Sequence, residues 1–498
     1  MKQQLKYDPT DMANLKELID TEGKGEKFEE ITLEKVMVAR GLVDDLPGIV
    51  LGNTRGAKRK VVIVSDETPI KYRERILREH IAHLFRERGI EGKTLTLRAV
   101  DGSLLHADIQ EVRKVQAEIF PGTALIAVGG GTVTDICKYA ACLSGGEAGN
   151  AGSVRLIVCQ TATSGSAFGS NQAVIFKDGV KRTFPAVYPK IIVVDLDVIA
   201  GAPYVLNVSG FGDMTGILIS SVDWSVSRML GMSSGYSDLL VNIMQQSGRT
   251  LLDVGREVGA CSAAGLEVLA KILVMMGIVS SMGFGTTPIS GFEHTISHAL
   301  DMEGRATGRA LALHGAQVGL GAAYAAVAYN EFLQRFPPPG FDLERCYPSD
   351  EEAYDDIARR IGHLDRDGKL LAEIWAHYKA KLDAWRDQKP IFTAFLADWA
   401  KPGGIRDQID ARIVPDEEIL EALYFSGNPT LPENLTPPVS PEQMRFAFLN
   451  ARFMRDRFGL ADVIGFAGML NENFWISVDA KIRNRHAALR SQEVAEKR

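Results

Sequence analysis

The chain has 498 residues, enough for two or three domains, and its 46% hydrophobic content can fill a core in each. A formal net charge of −7 excludes the basic surface that nucleic acid requires, so we expect a small-molecule substrate and no nucleic-acid partner. The five scattered cysteines have no CxxC spacing, which favours free thiols in a reducing compartment.

The N-terminus and the apolar segments predict neither a secretion signal nor a membrane span. The first residues, MKQQLKYDPTDMANLKEL, are charged and lack an apolar stretch. The apolar segment that begins at Leu266 carries Lys271 and is typical of a buried helix, and no apolar run approaches membrane-spanning length. We therefore expect a cytoplasmic protein with no membrane partner.

Five short apolar segments in the N-terminal part predict the strands of a parallel sheet. They alternate with helix-like segments, as in sheets that are covered on both faces. The five segments are residues 60–65, 94–100, 124–130, 154–160 and 190–196. Ligands bind at the carboxyl ends of such strands, so the residues that follow three of them should converge on one crevice. These residues are Asp66, Gly129–Asp135 and Thr161–Ser170.

The spacing of apolar residues changes after about residue 205. Residues 212–334 have helical apolar spacing and almost no strand-like alternation. We therefore predict an α/β domain of residues 1–205 and an all-helical domain of residues 206–498. The helical domain includes an extended, charged insertion, 336–425, whose three tryptophans should fasten it to the body. The charged C-terminal tail is either a solvated helix or frayed.

The segment AVGGGTVTDICK follows the third predicted strand and opens a helix. The three glycines, Gly129, Gly130 and Gly131, would let backbone N–H groups approach a phosphate at the helix N-terminus. A tight turn between strand and helix explains three glycines equally well. The segment matches neither GxGxxG nor a P-loop, so neither of those sites is predicted.

Two further features of this crevice suit a dinucleotide. Asp66, at the tip of a strand, could accept hydrogen bonds from the adenosine ribose and would disfavour a 2′-phosphate, which favours NADH over NADPH. An ordinary helix N-cap is the alternative role for this aspartate. The hydroxyls of TATSGSAFGS, residues 161–170, suit a pyrophosphate or a nicotinamide, with a flexible connection as the alternative.

A metal site is suggested by GFEHTISH, residues 291–298. His294 and His298 are four residues apart and share one helix face. His314 could add a second imidazole and Asp213 a carboxylate, a donor set that suits zinc, iron or nickel alike. Taken alone, the HxxxH spacing is more typical of a packing or surface pair.

In order along the chain, GGGTVTDICK, TATSGS, SGFGDMTG, GFEHTISHALD and LHGAQVG resemble one enzyme superfamily. It comprises iron-containing alcohol dehydrogenases, glycerol-1-phosphate dehydrogenases and dehydroquinate synthases. The GFGD segment followed by DW, and the C-terminal GNPTLPENL and ARFMRDRFGLADVI, are most similar to the glycerol-1-phosphate dehydrogenase branch. The resemblance implies a dehydroquinate synthase-like architecture: an α/β dinucleotide-binding domain with a parallel sheet, then an all-α domain.

The resemblance also implies roles for individual residues. The metal ligands would be Asp213, His294 and His314, which are catalytic together with His298. Substrate contacts would come from Ser166, Asp213 and His298. Together with Asp66, the dinucleotide contacts would be Gly129, Gly130, Gly131, Thr132, Val133, Thr134, Asp135, Thr161, Ser164 and Ser170. The implied cofactors are NAD(P)H, with NADH favoured, and one divalent metal, zinc first and iron or nickel as alternatives; the default assembly is a homodimer.

Three positions depart from the branch. Gly165 and Ser166 stand where it has a histidine and a substrate-binding aspartate, and Ile217 stands where it has a lysine. An isoleucine cannot pair with a phosphate. Dihydroxyacetone phosphate, reduced to glycerol 1-phosphate, is therefore the first expectation, and another hydroxy-ketone or an aldehyde is the alternative.

Two rival functions remain open. A sugar-phosphate cyclase like dehydroquinate synthase would use the same metal and cofactor, but that branch prefers glycine at Lys138 and clusters basic residues around its substrate, and we find no such cluster in the sequence. A binding protein without activity would have no need of Asp213, His294 and His314 together. The sequence therefore favours a metal-dependent NAD(P)H oxidoreductase that transfers hydride to a small ketone.

Overall fold

The computed structural model describes residues 5–51, 60–90, 92–99, 105–145, 154–177, 180–366 and 368–497. The strands are β1 (Lys35–Ala39), β2 (Val61–Asp66), β3 (Lys71–Tyr72), β4 (Arg75–Ile76), β5 (Gly92–Leu97), β6 (Ala124–Gly129), β7 (Arg155–Gln160), β8 (Gln172–Lys177), β9 (Val180–Pro185) and β10 (Ile191–Asp195). The first eleven helices are α1 (Met12–Glu22), α2 (Leu46–Leu51), α3 (Leu77–Glu87), α4 (Ile109–Gln116), α5 (Gly131–Ser144), α6 (Leu196–Ala200), α7 (Tyr204–Thr215), α8 (Ile217–Met229), α9 (Asp238–Asp253), α10 (Gly255–Gly259) and α11 (Ala263–Ser280). The others are α12 (Phe292–Thr307), α13 (His314–Arg335), α14 (Asp350–Ile361), α15 (Lys369–Asp387), α16 (Lys389–Asp398), α17 (Ile405–Asp410), α18 (Asp416–Phe425), α19 (Pro441–Asn450), α20 (Leu460–Phe466) and α21 (Glu472–Glu496).

Six strands form a parallel sheet in the order β1-β10-β7-β6-β2-β5. All five predicted strands are present, and β2, β6, β7 and β10 are apolar enough to be buried almost throughout. The fifth, β5, lies at the sheet edge and is mostly exposed or partly buried. Residue 100, at the end of the second predicted strand, lies outside the described residues. The sequence did not reveal β1 at the sheet edge, which is only partly buried, or the β8–β9 hairpin.

The chain reverses its direction of travel across the sheet between β2 and β6. It passes from β2 outward to β5 and then returns to the other side of β2 to form β6. Ser65 is paired in register with Val128, and Gly129 with Gln160, so the ends of β2, β6 and β7 lie side by side. A crevice at such a reversal is where open parallel sheets bind ligands. The three strand ends are therefore adjacent, as predicted; ligand binding in a crevice there stays a prediction.

The chain forms two compact units. The first combines Met1–Gly210 with Glu257–Gly285, and the second combines Phe211–Arg256 with Thr286–Arg498. The sequence analysis placed α11 in the helical domain, whereas its contacts group it with the first unit. A Cβ on Gly169 would lie 2.2 Å from the backbone oxygen of Val274, so only glycine lets α11 approach the loop after β7 this closely.

Two helical stretches, Tyr204–Met229 and Ala263–Ser280, are long and apolar enough to cross a membrane by length and composition alone. This corrects the expectation that no apolar run approaches that length. The most apolar windows of the two stretches are 89% and 72% buried inside the protein. Burial on this scale is typical of core helices, as predicted for the segment around Lys271.

The insertion is helical and packs into the second unit. FPPPGF ends α13 at Arg335, and α14 to α18 follow. Trp385 is fully buried against Phe458 and Phe466, and its indole N–H donates to the backbone oxygen of Cys346. The Trp399 ring packs edge-on against Phe332 of α13, so Trp385 and Trp399 fasten the segment as expected. The third tryptophan, Trp375, packs against Tyr354 within the insertion. The C-terminal tail is helical in α21, and all five cysteines are free.

Candidate metal and cofactor sites

Three predicted metal ligands meet in the second unit. Asp213 lies near the end of α7, His294 in the first turn of α12, and His314 at the first residue of α13. One ligand atom from each lies within 4.8 Å of the other two. Nε2 of His294 is 3.4 Å from Oδ1 of Asp213. Two imidazoles and a carboxylate at this spacing fit a divalent metal and leave a coordination position for another oxygen.

Close approach of the three helices brings the ligands together. A Cβ on Gly212 would lie 2.4 Å from the backbone oxygen of Gly315, so α7 and α13 touch through glycine. A Cβ on Gly321 would lie 2.5 Å from the backbone oxygen of Glu293, so α12 and α13 touch in the same way. Larger residues at these positions would separate the helices and the ligands they carry.

A buried carboxylate orients His294. Nδ1 of His294 lies 2.7 Å from Oε1 of Glu293, which is fully buried and also accepts a hydrogen bond from the N–H of Gly291. Because the carboxylate can only accept, Nδ1 carries the proton and Nε2 is left for a metal. The sequence does not reveal this role of Glu293, because its spacing alone is also typical of a helix surface. The other Glu293 oxygen has no hydrogen-bond partner among the described residues.

The charges of the cluster fit a cation. Burial opposes ionisation of Asp213, but the hydrogen bond from His294 and the nearby His314 outweigh burial, so the pKa of Asp213 is lower than usual. Burial also opposes the charged form of His294, but Asp213 and Glu293 outweigh burial and raise its pKa to about 9. The two carboxylates therefore attract positive charge at this point, which is what a metal supplies.

His314 is held by a chain of hydrogen bonds along α12 and α13. The Gln317 amide donates to Asp301, and the Ser297 hydroxyl donates to the Gln317 oxygen at 2.9 Å. The Ser297 oxygen is thereby free to accept from Nδ1 of His314 at 3.3 Å. This arrangement places the proton on Nδ1 and leaves Nε2 of His314 as the metal ligand.

His298 lies beside the cluster but outside the ligand group. Its ring centroid is 6.2 Å from that of His314, and its Nε2 is 3.3 Å from an Nη of Arg455. Arg455 can only donate, so Nε2 of His298 is the acceptor and the ring is neutral. Burial, followed by the charge of Arg455, lowers the pKa of His298 to about 2.

In the first unit, the glycines of the turn after β6 have two different roles: one allows close packing and another leaves open space. A Cβ on Gly129 would lie 2.7 Å from the Val133 side chain, so Gly129 serves close strand–helix packing. Gly130 has open space where its Cβ would be, and it begins α5 without a side-chain cap. The N–H groups that follow it, on the partly exposed Gly131 and Thr132, can donate hydrogen bonds to a phosphate.

Several predicted dinucleotide residues are engaged inside the protein instead. Asp135 pairs with Lys138 at 3.0 Å and accepts from the N–H of Val174. Lys138 is fully buried, and it also donates to the Ser170 hydroxyl and to the backbone oxygens of Ala167 and Gln172. These contacts fasten the loop after β7 to α5. Val133 and Thr134 are likewise fully buried, and Thr134 donates to the Gly130 oxygen.

The remaining predicted residues of the crevice line its edge. Asp66 is partly exposed, and its Oδ1 accepts from the N–H of Thr68 at 2.9 Å. It does not cap a helix, because α3 begins only at Leu77, so that alternative was wrong. Ser164 and Ser166 are partly exposed, whereas Thr161 is buried at the end of β7.

Sequence reasoning missed two groups of residues around the metal ligands. Asp223, noted only as part of a motif, accepts from the N–H groups of Phe292 and Leu460 and from the Tyr329 hydroxyl. It thereby fixes the start of the histidine helix. Arg455 reaches His298 from 157 residues away, and Arg457 lies two residues further along the chain. Arg455 is therefore a basic residue beside the site that the sequence did not reveal, and Ile217 is fully buried.

The sequence is similar to those of known proteins. The family model for iron-containing alcohol dehydrogenases matches residues 37–203. Glycerol-1-phosphate dehydrogenase (NAD(P)+) from Bacillus subtilis is 29% identical over 323 residues, which cover 64% of this chain and 78% of that protein. The enzyme of the same name from Aeropyrum pernix is 28% identical over 324 residues, covering 62% of this chain and 81% of its own.

The fold has counterparts among solved structures. The crystal structure of glycerol dehydrogenase from Schizosaccharomyces pombe matches with a TM-score of 0.55 at 17% identity, covering 93% of each chain. At this identity the likeness shows the fold alone. Taken together, the metal-ligand cluster, the parallel sheet and these relatives make the chain similar to the iron-containing alcohol dehydrogenases and to enzymes named glycerol-1-phosphate dehydrogenase. They indicate an NAD(P)-dependent, metal-binding oxidoreductase of the alcohol dehydrogenase type.

Proposed function

We propose that the enzyme reduces dihydroxyacetone phosphate to glycerol 1-phosphate with NADH. The observation that carries the proposal is the convergence of Asp213, His294 and His314 within 4.8 Å, backed by the buried Glu293. The similarity to enzymes named glycerol-1-phosphate dehydrogenase supports this choice of substrate.

Zinc is the metal we propose first for this cluster, with iron or nickel as alternatives. Two neutral imidazoles and one carboxylate suit all three ions. The bound metal would supply a Lewis acid for the oxygen atoms of the substrate. Glu293 and Ser297 contribute by accepting from the Nδ1 atoms of the two histidines, which directs the Nε2 atoms to the metal; a metal at this point would replace the second proton of His294.

The reaction adds one hydride and one proton to the carbonyl group. Bound NADH would supply the hydride for the carbonyl carbon of the substrate, and the carbonyl oxygen would take the proton and become a hydroxyl. His298 is neutral and accepts at Nε2. It can therefore pass a proton to the substrate only if it takes another proton from water at the same time, as a relay.

We propose that the dinucleotide binds at the carboxyl ends of β2 and β6. The uncapped N-terminus of α5, at Gly130–Thr132, would receive the pyrophosphate. Asp66 would accept from the adenosine ribose, and its negative charge would repel the 2′-phosphate of NADPH. Ser164 and Ser166 are exposed enough to contact the nicotinamide or the substrate.

A second candidate substrate is an unphosphorylated hydroxy-ketone or an aldehyde. The buried Ile217 favours it, because no cation stands where the glycerol-1-phosphate branch has a lysine. Dihydroxyacetone is the simplest test of this candidate, because it differs from the first substrate only by the phosphate.

We further propose that the enzyme is a cytoplasmic homodimer that binds neither nucleic acid nor membranes. A net charge of −7 and five free cysteines support this proposal. Analytical ultracentrifugation of the purified enzyme tests the assembly: a single species of twice the chain mass agrees, and a monomer contradicts it.

The reaction is tested by the absorbance of reduced nicotinamide. Zinc-loaded enzyme is mixed with NADH and dihydroxyacetone phosphate, and a sample stripped with a chelator is the control. Oxidation of NADH that requires zinc agrees with the proposal. A zinc-loaded enzyme that oxidises NADH only with unphosphorylated carbonyls would move the assignment to the second candidate.

A further inference from the structure

Two arginines without carboxylate partners lie on the segment that leads into α20. Arg455 and Arg457 stand between the 3₁₀ turn Ala451–Phe453 and Leu460, where α20 begins. Neither pairs with a carboxylate within 4.0 Å in the part of the chain that the structure describes, although most other arginines of this unit do. Unpaired guanidinium groups at one point create a local positive potential that attracts anions.

The first of these arginines stands at the edge of the metal-ligand cluster. Arg455 is exposed, and one of its Nη atoms donates to Nε2 of His298 at 3.3 Å. His298 in turn lies beside His314. A guanidinium carries five N–H donors in a rigid fork, and this contact uses one of them. The others can bind a phosphate through two parallel hydrogen bonds.

The second arginine fixes the segment rather than presenting a free charge. Arg457 donates to the backbone oxygens of Thr286 and Ser290 and to the Thr286 hydroxyl at 2.7 Å. These contacts tie the segment to the residues that lead into the histidine helix. The arginine beside His298 is thereby held in a fixed relation to the metal ligands, and a preorganised donor binds an anion at a lower entropic cost.

The insertion fastens the same segment from the other side. The Lys381 ammonium on α15 is fully buried, donates to the backbone oxygens of Arg452 and Arg457, and pairs with Asp462 at 2.9 Å. Lys381 therefore connects the insertion, for which the sequence analysis found no role, to the segment that carries Arg455.

We propose that Arg455 holds the phosphate group of the substrate, in place of the lysine that Ile217 replaces. The identity of the substrate in this inference rests on the proposed function. The existence of an anion site at Arg455 does not depend on that function. Its substrate class is a small phosphorylated ketone whose carbonyl oxygen faces the metal-ligand cluster. Arg455 would thereby supply the cation for the phosphate group that the buried Ile217 cannot supply.

The test measures phosphate binding separately from turnover. Inorganic phosphate is titrated by calorimetry into zinc-loaded wild type, Arg455→Gln, Arg455→Lys and Arg445→Gln. Arg445, an exposed arginine on α19 already paired with Glu472, is the matched control. We expect Arg455→Gln to weaken phosphate binding about 10- to 100-fold, Arg455→Lys to weaken it less, and the control to match wild type.

Turnover is then compared on dihydroxyacetone phosphate and dihydroxyacetone. Arg455→Gln should lower the preference for the phosphorylated ketone by a factor on the order of 10 to 100, mainly through its KM. Unchanged phosphate binding in Arg455→Gln, or no phosphate binding by wild type, would overturn the inference even if the phosphorylated ketone is reduced. A different result is phosphate binding that depends on Arg455 in an enzyme that does not reduce this ketone. It would overturn the proposed function but support the anion site.

Discussion

Glu293 and His294 are neighbours in sequence and partners in the metal-ligand cluster: Nδ1 of His294 lies 2.7 Å from the buried Oε1 of Glu293. The pairing places a negative charge behind an imidazole whose other nitrogen faces Asp213. Such a carboxylate increases the basicity of the metal-binding nitrogen and fixes the ring. Glu293, which directly precedes the HxxxH segment, is therefore part of the site.

Replacement of Glu293 should weaken zinc binding. Glu293→Gln removes the negative charge and can present an N–H to Nδ1, so we expect zinc affinity to fall about 10- to 100-fold. Competition with a chromogenic chelator measures this affinity. Glu472→Gln, which removes an exposed carboxylate from the same unit, is the control. Equal zinc affinity in Glu293→Gln and wild type would mean that Glu293 only caps α12.

Replacement of His314 should abolish both metal binding and turnover while the fold persists. The side chain is exposed at the start of α13, so its truncation leaves no buried cavity. With two ligands left, the cluster falls below the three that catalytic zinc sites use. Metal content by mass spectrometry and the thermal unfolding temperature measure the two expectations for His314→Ala. Full activity of this variant would remove His314 from the site.

Replacement of Asp66 should change the choice between NADH and NADPH. Asp66→Gly removes the charge proposed to repel the 2′-phosphate, so we expect the ratio of kcat/KM for NADH to that for NADPH to fall about tenfold or more. Asp66→Asn is the matched variant, because it keeps an oxygen for the Thr68 N–H but carries no charge. If neither variant changes the ratio, Asp66 serves only the turn after β2.

Loss of Lys381 should affect substrate binding from a distance. Lys381→Met leaves Asp462 buried and unpaired, which costs about 3–5 kcal/mol in comparable buried pairs. We therefore expect a lower thermal unfolding temperature. Because the segment that carries Arg455 loses its anchor, the KM for dihydroxyacetone phosphate should rise more than kcat falls. Asp462→Asn removes the charge of the partner carboxylate, so it should also raise KM more than it lowers kcat. Destabilisation with no change in KM would limit Lys381 to a structural role.

The parallel sheet could be predicted because its central strands are apolar throughout, and each is followed by glycine or polar residues. The partly buried β1 and the β8–β9 hairpin lack that signal. The grouping of α11 with the first unit depends on the close approach at Gly169, which composition does not reveal.

The metal ligands could be predicted because His294 and His298 stand at helical spacing and the ordered motifs resemble one superfamily. The residues that support them could not. Burial of Glu293 depends on the packing of α12 against α13. The contact between Arg455 and His298 joins residues 157 apart in sequence. The roles of Asp135 and Ser170 depend on Lys138, whose buried ammonium engages both.

The Asp213–His294–His314 cluster is proposed to serve the reduction of a phosphorylated ketone. The most direct test is kcat/KM of the zinc-loaded enzyme for dihydroxyacetone phosphate and for dihydroxyacetone, with NADH. We expect the phosphorylated ketone to be preferred on the order of 100-fold, since a bidentate charged contact is available to it alone. Equal values, or a preference for dihydroxyacetone, would mean that the enzyme does not act on a phosphorylated ketone.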